Sequence, residues 1–213
     1  MAEFTRNGYG QVEPNQLSAQ KTGQIYASLP LDKAVKVLQN GEFMYYDYAN
    51  KSVNAGKAKS DSTVKTVGEP MLVFNEIKLY EPFWRTSYKD FAMIRVGDNY
   101  VTSKLATAGY GENVDKQQAQ YQSHTDYDYR MDGVAPRLFK TNVGDIYTTN
   151  MVKLGVEYAV GDMLAPEKDT HNGEYDTLVL TKQTGDVDGM AWMVVKVYTM
   201  PDGQPGLKLQ RVQ

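Results

Sequence analysis

The chain of 213 residues contains no cysteine. That absence excludes disulfide bonds, thiolate nucleophiles and zinc–thiolate sites together. Histidine is scarce as well, with only His124 and His171 in the chain. No apolar run approaches the roughly 20 residues of a membrane span, and the N-terminus has neither the basic region nor the apolar core of a signal peptide. We therefore expect a protein that binds no membrane and stays in the cytoplasm where it is made.

An excess of positive charge is also missing. The formal net charge is -3 and the pI is near 5.5. A surface that coats nucleic acid is normally strongly basic, so no nucleic-acid partner is expected. Tyrosine, in contrast, is abundant at 16 residues against six phenylalanines. Tyrosine suits half-hydrated interfaces, although the same enrichment is ordinary in β-sheet proteins.

The first 29 residues are rich in Gln, Asn, Gly, Ser and Thr. Their larger apolar residues follow neither a helical nor a strand period, so the segment cannot form a core of its own. Two interpretations are open, an extended arm that binds a neighbouring subunit and a floppy terminus. In the first interpretation the segment is disordered in the isolated protein, and the body folds without it. The anchors of such an arm would be Phe4, Tyr9, Val12, Leu17, Ile25 and Tyr26.

Residues 30–140 are predicted to form a β-rich middle region that starts with a short helix. Leu31, Ala34, Val35 and Leu38 recur at the spacing of one helical face. Asp32 is placed to cap this helix and Gly41 to end it.

Residues 141–213 are predicted to form a small C-terminal β-barrel or sandwich, because short strand patterns alternate there with Gly-Asp, Asn-Gly and Pro-Asp-Gly turns. Met190 to Thr199 is apolar at both odd and even positions, which predicts a central strand buried on both faces. Val195 would then tolerate no charge. The predicted fold class is mainly β, with antiparallel barrel or sandwich modules, one short helix and an extended N-terminal arm.

Motifs for catalysis and metal binding are few. His124, Asp126 and Asp128 alternate, as three ligands on one strand face would, but a solvated polar strand has the same pattern. There is no Gly-x-Ser-x-Gly elbow and no phosphate-binding loop. We predict no catalytic residues, no metal and no cofactor, and therefore no enzyme. Phe83 and Trp84 follow Pro82 and form either an exposed aromatic ledge or a buried corner of the core.

Three stretches carry a resemblance to a known class of proteins. They are GYGQVEPNQLSAQKTGQIYASLPLD near the N-terminus, LVFNEIKLYEP in the middle, and a C-terminal part that includes VGDMLAP, GEYDTLVLTK and WMVVKVYTMPDGQPGLKLQRV. Together they resemble head decoration (capsid cement) or minor head structural proteins of tailed bacteriophages. Simple decoration proteins are shorter, and residues 42–140 have no obvious place in them.

The resemblance implies a virion protein that is assembled in the host cytoplasm and lies on the capsid surface. Its partners would be the major capsid protein and other copies of itself, with a trimer as one arrangement. The arm would tether neighbouring subunits, and repetition on the lattice would multiply weak contacts. Two other functions are open: a tail, neck or fibre-attachment structural protein, and a carbohydrate-binding β module that uses the Phe83 and Trp84 ledge.

Overall fold

The computed structural model describes residues 3–6, 10–32, 35, 37–56, 68–75, 93–95, 135–171, 175–200 and 203–213. The chain is mainly β, with antiparallel sheets and one short helix, so the predicted fold class is confirmed. Its elements are, in chain order, β1 (Val12–Gln16), α1 (Ser18–Thr22), β2 (Ile25–Tyr26), β3 (Val37–Gln39), β4 (Phe43–Asp47), β5 (Ser52–Asn54), β6 (Met71–Val73), β7 (Met93–Arg95), β8 (Leu138–Phe139), β9 (Ile146–Thr149), β10 (Met163–His171), β11 (Tyr175–Lys182), β12 (Trp192–Thr199) and β13 (Pro205–Arg211).

The larger sheet has six strands in the order β1-β9-β13-β12-β10-β11. All five pairings are antiparallel. Four of its strands, β10 to β13, form two hairpins of the C-terminal part, and β9 of the same part lies between β13 and β1. One edge strand of this sheet, β1, therefore comes from the N-terminal segment of the chain.

The second sheet has five strands in the order β2-β8-β6-β4-β5, and β3 pairs separately with β7. The turn from β4 to β5 depends on Asp47, whose carboxylate accepts the backbone N–H groups of Ala49 and Asn50 at 3.0 Å each. This local hydrogen bonding is why an aspartate ends the apolar strand β4. The register then places Tyr46 opposite Val53, both in the core.

One hydrophobic cluster joins the two sheets. Trp192 of β12 belongs to this cluster and is fully buried. The ring centroids of Trp192 and Tyr147 of β9 are 4.9 Å apart, and Phe43 of β4 lies 6.1 Å from the same tryptophan. The C-terminal strands thus share their core with strands of the middle region.

The helix predicted to start at Leu31 is wrong. Leu31 forms a parallel bridge with Val53, and Val37–Gln39 is strand β3, paired with β7. Between these two elements, the Val35 N–H donates to the Asp32 carbonyl at 3.0 Å. A ten-residue helix is marginal without tertiary support, and here strand partners hold both ends of the segment. The short helix of the structure, α1, lies in the N-terminal segment instead.

Strand β12 is central in its sheet, but the prediction that both its faces are buried is wrong. Trp192 and Val194 are buried, whereas 37% of the Val195 surface and 45% of the Val197 surface are exposed. The register with β13 shifts between Val194 and Lys196, so Val195 is the extra residue of a β-bulge. Pairing with β10 covers only Trp192 and Met193. The rest of the strand extends beyond the region that the core covers.

Candidate interaction site of the N-terminal segment

The N-terminal segment, predicted as an extended arm, lies on the body of the same chain. Strand β1 pairs with β9, with Val12 opposite Thr149 and Glu13 opposite Thr148. Pro14 lies inside β1, and a proline has no N–H for a ladder, so it fits an edge strand. Sheet pairing satisfies the backbone N–H and C=O groups of a segment that has no core of its own. This pairing corrects the prediction of an arm that is disordered in the isolated protein.

Side chains reinforce this pairing. The Gln11 N–H donates to Asn150 Oδ1 at 2.6 Å, and Thr149 Oγ1 donates to the Gln11 carbonyl at 2.6 Å. Thr148 Oγ1 donates to Asn15 Oδ1 at 2.7 Å. The body therefore recognises polar residues of this segment, and not only its apolar anchors.

Helix α1 follows β1 and is fixed by one carboxylate of the body. The Ser18 N–H and the Ser18 hydroxyl each donate to Asp145 at 3.0 Å. Asp145 thereby supplies the acceptor that the helix start needs, since Leu17 at the cap position has no side-chain oxygen. Leu17 and Ala19 point into the core with 2% and 0% of their surfaces exposed.

Strand β2 then joins the second sheet. Ile25 pairs with Phe139 and Tyr26 pairs with Leu138 of β8. The Tyr26 ring packs edge-on against Tyr46, with 5.4 Å between ring centroids. One stretch of 15 residues, Val12 to Tyr26, thus contributes an edge strand to each of two sheets.

Residues 3–6 make a separate contact. The Phe4 N–H donates to the Val156 carbonyl at 3.0 Å, and the Gly155 N–H donates to the Phe4 carbonyl at 3.1 Å. The Phe4 ring packs edge-on against Tyr158 at 5.7 Å between centroids, with 6% of the residue exposed.

The predicted anchors therefore fall into three groups. Phe4 and Leu17 are buried, whereas Val12, Ile25 and Tyr26 are half-buried against the core. Tyr9 lies outside the described residues, as do the predicted ledge of Phe83 and Trp84 and the alternating residues His124, Asp126 and Asp128.

Two glycines have close contacts that no sequence pattern indicated, Gly10 in this segment and Gly41 in the body. A Cβ atom on Gly10 would lie 2.2 Å from the Asn40 carbonyl oxygen. A Cβ atom on Gly41 would lie 2.5 Å from the Met151 Cβ, and the Gly41 φ of +94° is also unfavourable for other residues. Gly41 was predicted to end a helix. It does have the left-handed conformation, but in the turn before β4.

A cleft of about 210 Å³ opens beside Arg6, between the N-terminal segment and the body. Arg6 Nη1 donates to Met151 Sδ at 2.7 Å. The charged groups that line the cleft are Arg6, Glu42, Lys153 and Asp169. No sequence pattern indicates this grouping, because its four members lie in four separate parts of the chain.

Glu42 is unusual among these groups because only 1% of it is exposed. Burial raises the pKa of its carboxyl to about 8, although the hydrogen bond from the Gln39 N–H and the charge of Arg6 act in the opposite direction. The carboxyl is therefore mainly protonated at neutral pH. A perturbed carboxyl in a cleft is a typical catalytic acid. Here, however, Glu42 Oε2 accepts the Gln39 N–H at 3.1 Å, which gives it a role in holding the turn before β4.

The part of the chain that the structure describes contains no group of three or more His, Cys, Asp or Glu side chains arranged to hold a metal ion. Within those same residues, no helix is long and apolar enough to cross a membrane. Comparison with protein-family models, with curated proteins and with solved structures finds no match.

Proposed function

We propose that the protein is a non-catalytic structural component of a tailed-phage head, which binds the lattice of the major capsid protein on the capsid surface and stabilises the shell. The capsid assignment comes from the sequence resemblance. The structural observation that supports it is the way the N-terminal segment binds. An extended segment that adds edge strands to existing sheets uses backbone hydrogen bonds for affinity and side-chain pockets for specificity, as many protein–protein contacts do.

The burial of the Glu42 carboxyl also favours a binding protein over an enzyme. Glu42 and Arg6 line a small cleft, but the Glu42 carboxyl is almost fully buried and bonded to the backbone. A general acid has to reach the proton acceptor of its substrate. A buried carboxyl that holds a turn suits a structural protein better.

The proposal is tested by adding purified protein to capsid shells that lack it, followed by sedimentation and cryo-electron microscopy. We expect saturable binding at positions that repeat with the capsid lattice. Density at the portal or neck alone would indicate the tail or neck protein instead, and no binding to shells would contradict both.

A matched pair of variants tests whether the N-terminal segment contributes to attachment to the shell. Phe4→Ala removes a ring buried against Tyr158, whereas Glu3→Ala changes its exposed neighbour. If residues 3–6 contribute to attachment, Phe4→Ala lowers the number of copies bound per shell and Glu3→Ala leaves it unchanged. Equal binding by both variants would remove these residues from the proposed interface.

A further inference from the structure

The strap, defined as residues 10–26, is an addition to two sheets that exist without it. Its strand β1 is the first of the six-stranded sheet and its strand β2 is the first of the five-stranded sheet. Without the strap the remaining orders are β9-β13-β12-β10-β11 and β8-β6-β4-β5. The strap therefore pairs with sheet edges of the body. Any strand of the same sequence and direction can pair with these edges.

The body offers these edges together with matched side chains. Asn150 and Thr149 bond to Gln11 beside β9, and Asp145 bonds twice to Ser18. Beside β8, the Lys140 N–H donates to the Gln24 carbonyl at 3.1 Å. Each of these groups belongs to the body and each recognises the strap, so the body carries a complete binding site for this sequence.

The connection between strap and body is short and exposed. Ala27 and Ser28 are exposed and belong to no strand. The body begins at Pro30, whose carbonyl accepts the Val53 N–H at 2.8 Å. Between these points, the Tyr46 hydroxyl accepts the N–H groups of Ser28 and Leu29 at 2.8 and 3.1 Å. Rotation of the backbone at Ala27 and Ser28, which precede the half-buried Leu29, redirects the strap without altering a strand.

We propose that the strap exchanges between neighbouring copies of this chain, so that residues 10–26 of one copy occupy the β9 and β8 edges of the next. This inference deepens the proposed function, because the lattice supplies the high local concentration that favours exchange. The strap makes the same contacts in its own chain and in a neighbouring chain. The equilibrium between these two arrangements therefore depends on the connection between strap and body and on the protein concentration. No new interface has to form, which makes this a low-cost way to link subunits.

The absence of cysteine allows a direct test. Thr148 of β9 is flanked by Glu13 of β1 on one side and by Lys208 of β13 on the other. Directly opposed residues of antiparallel strands have Cα separations that a disulfide can bridge. Glu13→Cys and Thr148→Cys chains, each with one substitution, are mixed in denaturant, refolded together and oxidised. Linked peptides are then identified by mass spectrometry.

The matched control mixes Lys208→Cys chains with Thr148→Cys chains. Both of those positions lie in the body, so exchange of the strap does not bring them together between chains. A segment on a short tether has an effective concentration in the millimolar range, so chains refolded at about 1 mM are expected to populate both arrangements. We expect the 13–148 disulfide between chains at about tenfold the yield of the 148–208 disulfide between chains.

A third sample carries Glu13→Cys and Thr148→Cys in one chain and reports whether the two positions can be bridged. If this chain closes its own disulfide while the mixture links no better than the control, exchange is overturned. If it fails to fold or to close, Gln16→Cys with Ile146→Cys repeats the experiment at the next pair of β1 and β9. Because capsids are absent, the result is independent of shell binding. Linked chains that do not bind shells would contradict the proposed function alone.

Discussion

At the scale of single residues, Glu42 is held in a protonation state that its sequence does not suggest. Its pKa is about 8 in the folded protein, because burial disfavours the charged form, whereas the ordinary pKa of a glutamate is about 4.5. Between these two pH values the folded chain keeps a proton that the unfolded chain releases. The free energy of unfolding therefore falls as the pH rises through this window.

The expected slope is at most about 1.4 kcal/mol per pH unit. We expect Glu42→Gln, which is neutral at every pH, to flatten the decline of stability between pH 5 and 8 in denaturant titrations. Glu3→Gln changes an exposed carboxyl and serves as the control. A Glu42→Gln protein with the same pH profile as the wild type would show that this carboxyl ionises normally in the folded state.

The β-bulge of β12 makes two neighbouring valines differ sharply. Val194 is fully buried and Val195 is 37% exposed. Val194→Asp would place a carboxylate in the core at a cost of several kcal/mol, comparable with the whole stability of a small protein. We expect Val194→Asp to be insoluble or unfolded, and Val195→Asp to lose about 1 kcal/mol or less. Thermal melts of both variants test this, and equal losses would show that the bulge is misplaced.

At the scale of elements, the N-terminal segment contributes more to the body than its sequence indicates. Deletion of residues 2–28 removes Phe4, Leu17 and Ala19 from the core and exposes the edges of β9 and β8. Burial of one large apolar side chain stabilises a protein by about 1.5–3 kcal/mol, so the total loss is several kcal/mol.

We expect the deleted protein to melt well below the full chain and to aggregate through its open edges. Circular dichroism with heating and light scattering measure both effects. Glu3→Ala is the control, because Glu3 is exposed. An unchanged melting temperature for the longer deletion would restore the interpretation of this segment as an arm independent of the body.

At the scale of the whole molecule, the two sheets share one core. Phe43 of β4 contacts Trp192 of β12, and both belong to a cluster that also includes Tyr147 of β9. A shared core couples the unfolding of its parts. We expect one cooperative transition, with equal calorimetric and van't Hoff enthalpies. Two separate transitions would instead support the predicted division into a middle region, residues 30–140, and a C-terminal module, residues 141–213.

Local signals in the sequence were sufficient for the fold class and for much of the C-terminal sheet. Strand patterns and Gly-Asp or Pro-Asp-Gly turns are local properties of the sequence, because they involve only neighbouring residues. Strands β9 to β13 lie in the part of the chain where these patterns are regular. Phe4, Val12, Leu17, Ile25 and Tyr26 follow no period, and their apolar character alone marked them as anchors that need cover.

The segments that cover these apolar residues are decided by the tertiary structure, because strand partners come from distant parts of the chain. The apolar spacing at Leu31, Val35 and Leu38 predicted a helix, yet bridges to Val53 and to β7 made the segment extended. The two-faced apolar pattern of β12 predicted full burial, yet a bulge turned Val195 outward. The raised pKa of Glu42 follows from packing of the body around it. The sequence alone determined which residues favour strands and burial, and only the fold decided their partners, because pairing energy depends on contacts between segments far apart in the chain.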